Sequence, residues 1–299
     1  MTEVALGAAC AWCGRPFDDR AESLTGRRRC AACGVATTDP WPTGEQLDDA
    51  YAGWYRPEAG RFLGIGDALL RRSRGALARR LDHVAPPGRI LDVGSGAGDL
   101  LDALTAAGRE GVGLERSSHR PDVQAGELAD VAGPFAAVVF WHSLEHLARP
   151  GQALAHATAL LMDRGVLVVA LPNADSLQAH AFGDRWFALD LPRHLVHVPE
   201  RALTTRMGEL GLTVERTSHV RGGQVLFGWL HGLVGRLTGG LDLYDAIRRP
   251  EARQRPMGRR RRLAALAGAV LLAPGAAVMA AVEVLLRRGG TVYVEARRA

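Results

Sequence analysis

Ile90-Leu91-Asp92-Val93-Gly94-Ser95-Gly96-Ala97-Gly98 reads as a short apolar strand running into a turn built on three glycines. Glycine reaches positive φ without steric cost, so such a turn lets a ligand come close to the backbone. Asp99–Ala107 follows with apolar residues at helical spacing, and Gly111–Leu114 reads as the next strand. Strand, glycine turn, helix and strand in this order form a nucleoside-binding unit of a parallel sheet. The glycines alone leave the ligand open, because dinucleotide and phosphate sites use similar loops. The Gly-Lys-Ser/Thr of a triphosphate site is missing. Asp92 precedes the turn, where a carboxylate can orient the loop or meet a cationic amino-acid group. Glu115 ends the second strand, where an acid can accept from two ribose hydroxyls; a nicotinamide dinucleotide would ask for the same residue.

Outward from this unit the chain keeps an α/β rhythm. Pro86-Pro87-Gly88 marks a sharp boundary on the N-terminal side. Ahead of it Leu69–Leu81 reads as an arginine-rich amphipathic helix, and Glu45–Tyr55 has helical character with three aromatic residues. Behind it come strands at Arg89–Val93, Ala136–Trp141, Val166–Leu171 and Leu212–Val220, with helices at Pro150–Leu161 and Arg201–Leu210. Thr291–Glu295 reads as a last strand. This alternation predicts a parallel sheet covered on both faces.

Two apolar segments interrupt it, Val225–Leu237 and Leu263–Leu286, separated by a polar piece ending in Arg259–Arg262. Leu263–Val282 is long enough to cross a bilayer. Pro274-Gly275 divides it, Glu283 lies near its end, and a single crossing would strand Thr291–Glu295 on the far side. The expectation is a hairpin broken at Pro274, packed as a lid over the substrate or lying on a membrane surface. Either placement favours an apolar acceptor.

The 299 residues suffice for one large domain with an appendage, or for two modest domains. The formal charge is +5 and every basic residue other than histidine is arginine. Most of these read as dispersed, solvated surface rather than a nucleic-acid stripe. The first residues hold no basic segment followed by an apolar run, so no signal peptide is read and a cytoplasmic location is expected, with membrane association left open by the apolar segment. All four cysteines fall in the first 33 residues, as Cys10-x-x-Cys13 and Cys30-x-x-Cys33. Two such pairs suit a structural Zn(Cys)4 site, with Gly14 and Gly34 easing the turn after each pair. Disulfides are disfavoured in a cytoplasmic chain.

Ile90–Leu101, Gly111–Glu115 and Val138–Pro150, the last reading Val-Val-Phe-Trp-His-Ser-Leu-Glu-His-Leu-Ala-Arg-Pro, carry a resemblance. From Ile90 to about Val220 the chain resembles class I S-adenosylmethionine-dependent methyltransferases of the bacterial group related to ubiquinone-biosynthesis O-methyltransferases. The resemblance implies an α/β, Rossmann-like sheet of seven strands, with a small N-terminal zinc-binding segment and a hydrophobic helical insertion before the last strand. It implies that Gly94, Ser95 and Gly96 contact the methionine part of the cofactor, Glu115 the ribose and Glu127 the adenine, with His142 and Ser143 lining the pocket. Phe135-Ala136-Ala137 departs from the Phe-Asp that usually precedes the fourth strand.

The cysteine pairs, Asp39-Pro40-Trp41-Pro42 and Tyr51–Tyr55 resemble the N-terminal zinc segment of a subset that includes sugar C-methyltransferases. Leu171-Pro172-Asn173, Gly183–Phe187 and Pro192-Arg193-His194-Leu195 extend the likeness. By it, His194 is the candidate base, with Arg193 beside it as a candidate substrate-binding residue where relatives carry an acid, and His146 is a second candidate or a pocket-shaping hydrogen bonder. Tyr51, Trp54 and Tyr55 form an aromatic wall over the acceptor or pack the zinc segment against the core. The domain reading is 1–44 zinc-binding segment, 45–84 helical connector and lid, and 85–299 catalytic domain with the insertion at 222–290.

The expected reaction is methyl transfer to a hydroxyl or carbon of a small molecule: a natural product, a quinone, or a sugar or lipid-linked compound. Two alternatives stand beside it. One is an RNA methyltransferase that grips nucleic acid with its zinc segment, disfavoured by the dispersed arginines and the lack of an Asn/Asp-Pro-Pro-Tyr turn. The other is a cofactor-binding protein without catalysis.

Overall fold

The cysteine segment folds on a small antiparallel meander, β1 (Glu22–Leu24), β2 (Arg27–Arg29) and β3 (Ala36–Thr38). The computed structural model describes residues 7–52, 62, 66–116, 118, 120–220 and 223–299. Helices α1 (Gly44–Ala52) and α2 (Gly66–Val84) lead into the alternating region. There β4 (Ile90–Val93), α3 (Asp99–Ala106), β5 (Gly111–Glu115), β6 (Val123–Ala125), β7 (Phe135–Trp141), α4 (Pro150–Ala159) and β8 (Leu161–Pro172) follow in turn. Pro150 at the first turn of α4 has its φ already set for a helix. Next come α5 (Leu177–Phe182), β9 (Val196–His197), α6 (Glu200–Glu209) and β10 (Leu212–Ser218). The chain ends with α7 (Gln224–Leu237), α8 (Leu243–Ile247), α9 (Arg259–Leu285) and β11 (Thr291–Arg298).

Seven strands form one sheet in the order β10-β11-β8-β7-β4-β5-β6. The pairs from β6 through β8 are parallel, and β11 runs antiparallel between β8 and β10. The seven-stranded α/β sheet expected from the sequence is therefore present. Successive strand side chains point to opposite faces, and here both faces are covered. Ile90, Ala137, Val139, Val166 and Val168 pack with Leu77 and Leu81 of α2 and Leu100 and Leu104 of α3. Leu91, Val93, Val138, Phe140, Leu167 and Val169 pack with α4 and α6 on the other side. Burial on both faces explains why Phe135–Trp141 is an unbroken apolar run. On β11 the buried Glu295 accepts from Arg80 Nε at 2.8 Å and Nη2 at 2.6 Å, tying the last strand to α2.

The insertion differs from its expected form. No break occurs at Pro274: α9 is one helix of 27 residues with the proline inside it. Proline removes one N–H from the helical ladder and is costly there. Two features offset that cost. Alanine- and leucine-rich turns flank the proline on both sides, and the inner face is held by packing, with Ala276 against Val225 and Trp229 of α7 and Ala265 against Val234 and α8. Pro274 itself falls on the exposed face. On α7, Gly228 and Gly232 admit α5: a Cβ at Gly228 would stand 2.0 Å from Gln178 Oε1, and one at Gly232 2.4 Å from the Phe182 ring.

The cysteine segment is sewn to the rest. β3 pairs with β9, Ala36 opposite His197 and Thr37 opposite Val196, giving a second sheet in the order β1-β2-β3-β9. Cys10, Trp12, Cys30 and Val35 lie in the same buried cluster as α4 and α6. Gly151 makes that contact possible, since a Cβ there would meet the Trp12 carbonyl oxygen at 2.1 Å.

Candidate active site

The strand order reverses at β4, with β5 on one side and β7 on the other. In open α/β sheets the ligand crevice lies at such a switch point, outside the carboxyl ends of the strands. Here three strand ends are tied together around it. Gly94 and Gly96 have φ of 78° and 58°, and Gly98 has 84°. The Gly94 N–H donates to the Leu114 carbonyl at 2.8 Å, and the Gly96 N–H to Glu115 Oε2 at 2.8 Å. From the end of β7, Ser143 Oγ donates to the Val93 carbonyl at 2.5 Å. Each Glu115 oxygen still has a lone pair for a ligand hydroxyl. Ser95 turns its hydroxyl back beneath β5, so close that a Cβ on Gly113 would be 2.6 Å from it.

Asp92 shares the face of Ile90 on β4, opposite to Leu91 and Val93, and is 4% exposed. Burial pushes its carboxyl up to about 7; Arg74 opposes this, while Glu115 and Asp99 add to it. A buried acid held near neutrality releases its proton to solvent when a cation arrives beside it and stabilises the carboxylate. The cleft it borders is continuous, about 3510 Å³, and also takes in Glu115, Glu127, His142, His146 and His194. Single small-ligand pockets run to roughly 300–1,000 Å³, so this cleft has room for a cofactor and an acceptor together.

At its far end three imidazoles surround one carboxylate. Glu145 is 2% exposed, and neither of its oxygens finds a hydrogen-bond partner among the described residues. His142 Nδ1 is 3.5 Å and His194 Nε2 3.9 Å from Oε1. Burial alone would raise Glu145, but the nearby His142, His194 and His146 hold it down at about 2. His146 Nδ1 faces the Arg193 carbonyl at 2.9 Å, and the Tyr51 hydroxyl is 3.1 Å from the same nitrogen. A carbonyl only accepts, so the Nδ1 of His146 carries the proton and its Nε2 keeps a lone pair. The same reasoning applies to His194, whose Nδ1 lies 2.9 Å from the Ala188 carbonyl. Burial, then the neighbouring His194, lowers His146 to about 4, so it is neutral at physiological pH. The ligating atoms of Glu145, His146 and His194 lie within 4.8 Å of one another, a set that could also hold a metal ion.

The remaining expected residues are distributed as follows. His142 directly follows β7 with φ of 55°, a conformation that costs energy for a non-glycine residue, and its Nε2 is 3.3 Å from Gln224 Nε2 at the start of α7. Glu127 is exposed at the cleft rim. Tyr51 projects from α1, beneath the Arg116 guanidinium 5.3 Å from its ring. Arg193 gives its guanidinium to Asp190, at 2.5 and 3.2 Å. Trp54 and Tyr55 lie outside the described residues. Sequence reasoning missed Glu145, Asp190 and Gln224. Only Glu145 left a signal, as an acid next to His146 between two leucines.

The four cysteines converge. Cys10 and Cys33 sulfurs are 3.6 Å apart, Cys13 and Cys30 sulfurs 3.8 Å, and all four lie within 4.8 Å. These are free thiols. Four ligands about 2.3 Å from a central tetrahedral ion would be roughly 3.8 Å apart, so the donor set and spacing fit one. Each pair forms a tight knuckle: Gly14 N–H donates to the Cys10 carbonyl at 2.9 Å, and Gly34 N–H to the Cys30 carbonyl at 2.8 Å. Both glycines have positive φ.

A seven-stranded sheet in this order, with a glycine turn after its central strand and an acid ending the next, defines the class I methyltransferase fold. Residues 69–217, about half of the chain, match the family model described as a methyltransferase domain, and the chain is an S-adenosylmethionine-dependent methyltransferase. Among solved structures it is similar to an S-adenosylmethionine-dependent methyltransferase from Archaeoglobus fulgidus, at 16% identity over 76% of this chain and 94% of that one, with a TM-score of 0.47. It is also similar to magnesium protoporphyrin IX methyltransferase from Synechocystis, at 14% identity over 78% and 84% of the two chains, TM-score 0.44. A third similar structure is the cyclase SpnF, at 17% identity over 86% and 96%, TM-score 0.46. At such identities and TM-scores none of these likenesses bears on the acceptor. No curated protein matches the sequence.

Proposed function

We propose that the chain methylates a hydroxyl or an acidic carbon of a small molecule, with His194 as the base and His146 as its partner. The observation that carries this reading is the pair of imidazoles whose Nδ1 atoms face backbone carbonyls, leaving both Nε2 lone pairs at the acceptor end of the cleft beside Glu145. When bound, the cofactor would serve as methyl donor for an in-line displacement in which its sulfur leaves with the bonding electron pair. The chain aligns the acceptor and removes its proton. The acceptor proton passes to His194 Nε2, and the neighbouring Glu145 carboxylate stabilises the imidazolium.

On the cofactor side, the raised and buried Asp92 suits the cofactor's ammonium group, Glu115 the ribose, and Glu127 the adenine. Gly94, Ser95 and Gly96 offer close backbone approach, and His142 and Ser143 close the pocket behind them. Tyr51 would cover the acceptor, a role the sequence resemblance also gives Tyr55. The Arg193 side chain, engaged by Asp190, would contribute by fixing the loop that presents its own carbonyl to His146. Zn²⁺ at Cys10, Cys13, Cys30 and Cys33 would be structural, since four thiolates leave no open position. We assign 1–44 as the zinc-binding segment, 45–84 as connector and lid, and 85–299 as the catalytic domain. Phe227, Leu241, Tyr244 and Ile247 line the outer cleft, which favours an apolar acceptor such as a polyketide, a quinone or a lipid-linked sugar.

The test is to supply labelled cofactor and chain to a metabolite extract and search by mass spectrometry for a species heavier by one methyl group. With that acceptor in hand, His194→Ala should lower kcat by ~100-fold or more and leave cofactor affinity unchanged. Normal turnover in the variant would remove His194 from the mechanism.

A further inference from the structure

We infer that the outer face of α9 docks the enzyme on an anionic phospholipid bilayer, lying in the interface rather than crossing it. Every exposed residue between Leu263 and Leu286 is apolar or glycine, and they recur at helical spacing: Leu263, Ala267, Val270, Leu271, Pro274, Val278, Val282 and Leu285 lie along one stripe. Val270 is 78% exposed, and Leu271 and Leu285 are each 80% exposed. Isolated exposed leucines are ordinary, but a continuous apolar stripe without one polar side chain marks a contact surface. At 1.5 Å per residue the helix is roughly 40 Å long, and only 17% of its most apolar window is buried.

The charges at its ends choose the occupant. Arg259, Arg260 and Arg261 are exposed at the amino end, and Arg287 follows the carboxyl end. Cations at a helix amino terminus oppose the macrodipole and destabilise it. Anionic headgroups on both flanks of an apolar stripe offset that cost, and basic residues bordering an apolar face are what an interfacial helix carries.

The inner face excludes a spanning orientation. Glu283, fully buried, accepts from Trp229 Nε1 at 2.8 Å, Gln178 Nε2 at 2.7 Å and the Gln178 N–H at 3.0 Å. Arg262 Nε donates to the Ala246 carbonyl at 3.0 Å. Both ends of α9 are thereby fixed on α5, α7 and α8, and only the outer stripe is free for lipid. α7 stands between α9 and the cleft, lining the cleft with Gln224, Phe227 and His231. Docking through α9 brings that wall to the bilayer, which suits an acceptor dissolved in or anchored to it. The inference does not depend on which atom is methylated.

Sedimentation of the full chain with vesicles tests it. Binding is expected to phosphatidylcholine vesicles containing phosphatidylglycerol, to weaken as salt rises, and to be much lower with phosphatidylcholine alone. Leu271→Glu and Val278→Glu should each weaken binding roughly tenfold or more, and replacing Arg259–Arg261 by serine should abolish the preference for anionic vesicles. Thermal unfolding and cofactor calorimetry, unaffected in these surface variants, separate this inference from the methyltransferase reading. Vesicle binding that survives Leu271→Glu would overturn it. So would a wild-type dimer that fails to bind vesicles and becomes monomeric in Val278→Glu, because the stripe would then be an interface between copies.

Discussion

Asp92 shows how one residue can set opposing demands on fold and site. In the folded chain it keeps its proton to about pH 7, against 3.8 for a free aspartate. A carboxyl whose folded pKa is raised contributes stability below its unfolded pKa and loses it as pH rises through the folded value. Asp92→Asn keeps the shape without the charge. It is expected to raise the Tm of the cofactor-free protein by several degrees at pH 8 and to change it little at pH 4, as read by thermal unfolding at both pH values. The same substitution should weaken cofactor binding by about tenfold or more, since the ammonium group loses its counter-charge. In the unmodified protein, calorimetric affinity should fall as pH drops below about 7, and this dependence should vanish in Asp92→Asn. An unchanged affinity in the variant would take Asp92 out of cofactor binding.

Among the elements, close backbone contacts decide which substitutions matter. Gly151 at the start of α4 touches the Trp12 carbonyl, and backbone cannot shift as a side-chain tip can. Gly151→Ala is expected to destabilise by about 1–3 kcal/mol in denaturant unfolding, whereas Gly208→Ala on α6, with open space around it and ordinary φ, should be neutral or slightly stabilising. Legibility followed the same logic. The sheet strands were readable because both faces are buried and the apolar runs are short, as in Ile90–Val93 and Phe135–Trp141. The cysteines and glycine turn were readable because their spacing is local. Contacts between distant segments left no pattern: the pairing of Ala36 with His197 and the bond from Thr38 to the His194 carbonyl are invisible along the chain. α9 was misread because Pro274 was weighed as a local breaker, while the packing of Ala265, Ala276 and Glu283 that holds the helix together comes from α5, α7 and α8.

Across the whole molecule, one line of bonds runs from the cysteines to the proposed base. The knuckles carry β3, β3 pairs with β9, and Thr38 Oγ1 donates to the His194 carbonyl at 2.7 Å. The Thr38 N–H donates to the Leu195 carbonyl at 3.0 Å, and the Leu195 N–H in turn to the Glu145 carbonyl at 2.9 Å. The proposed zinc therefore braces the loop of His194 and Glu145, whereas the cofactor-side residues hang on β4, β5 and β7. Removing the metal with a chelator should lower the Tm and cut kcat at least ~10-fold, while cofactor affinity changes by less than about twofold, because these functions rest on different elements. Thr38→Val gives a milder version: a loss of about 1 kcal/mol in stability and a several-fold lower kcat at unchanged cofactor affinity. Tm, calorimetric affinity and turnover measured on one sample check both. If affinity and turnover fell together in proportion, the metal would be holding the entire fold rather than bracing the base.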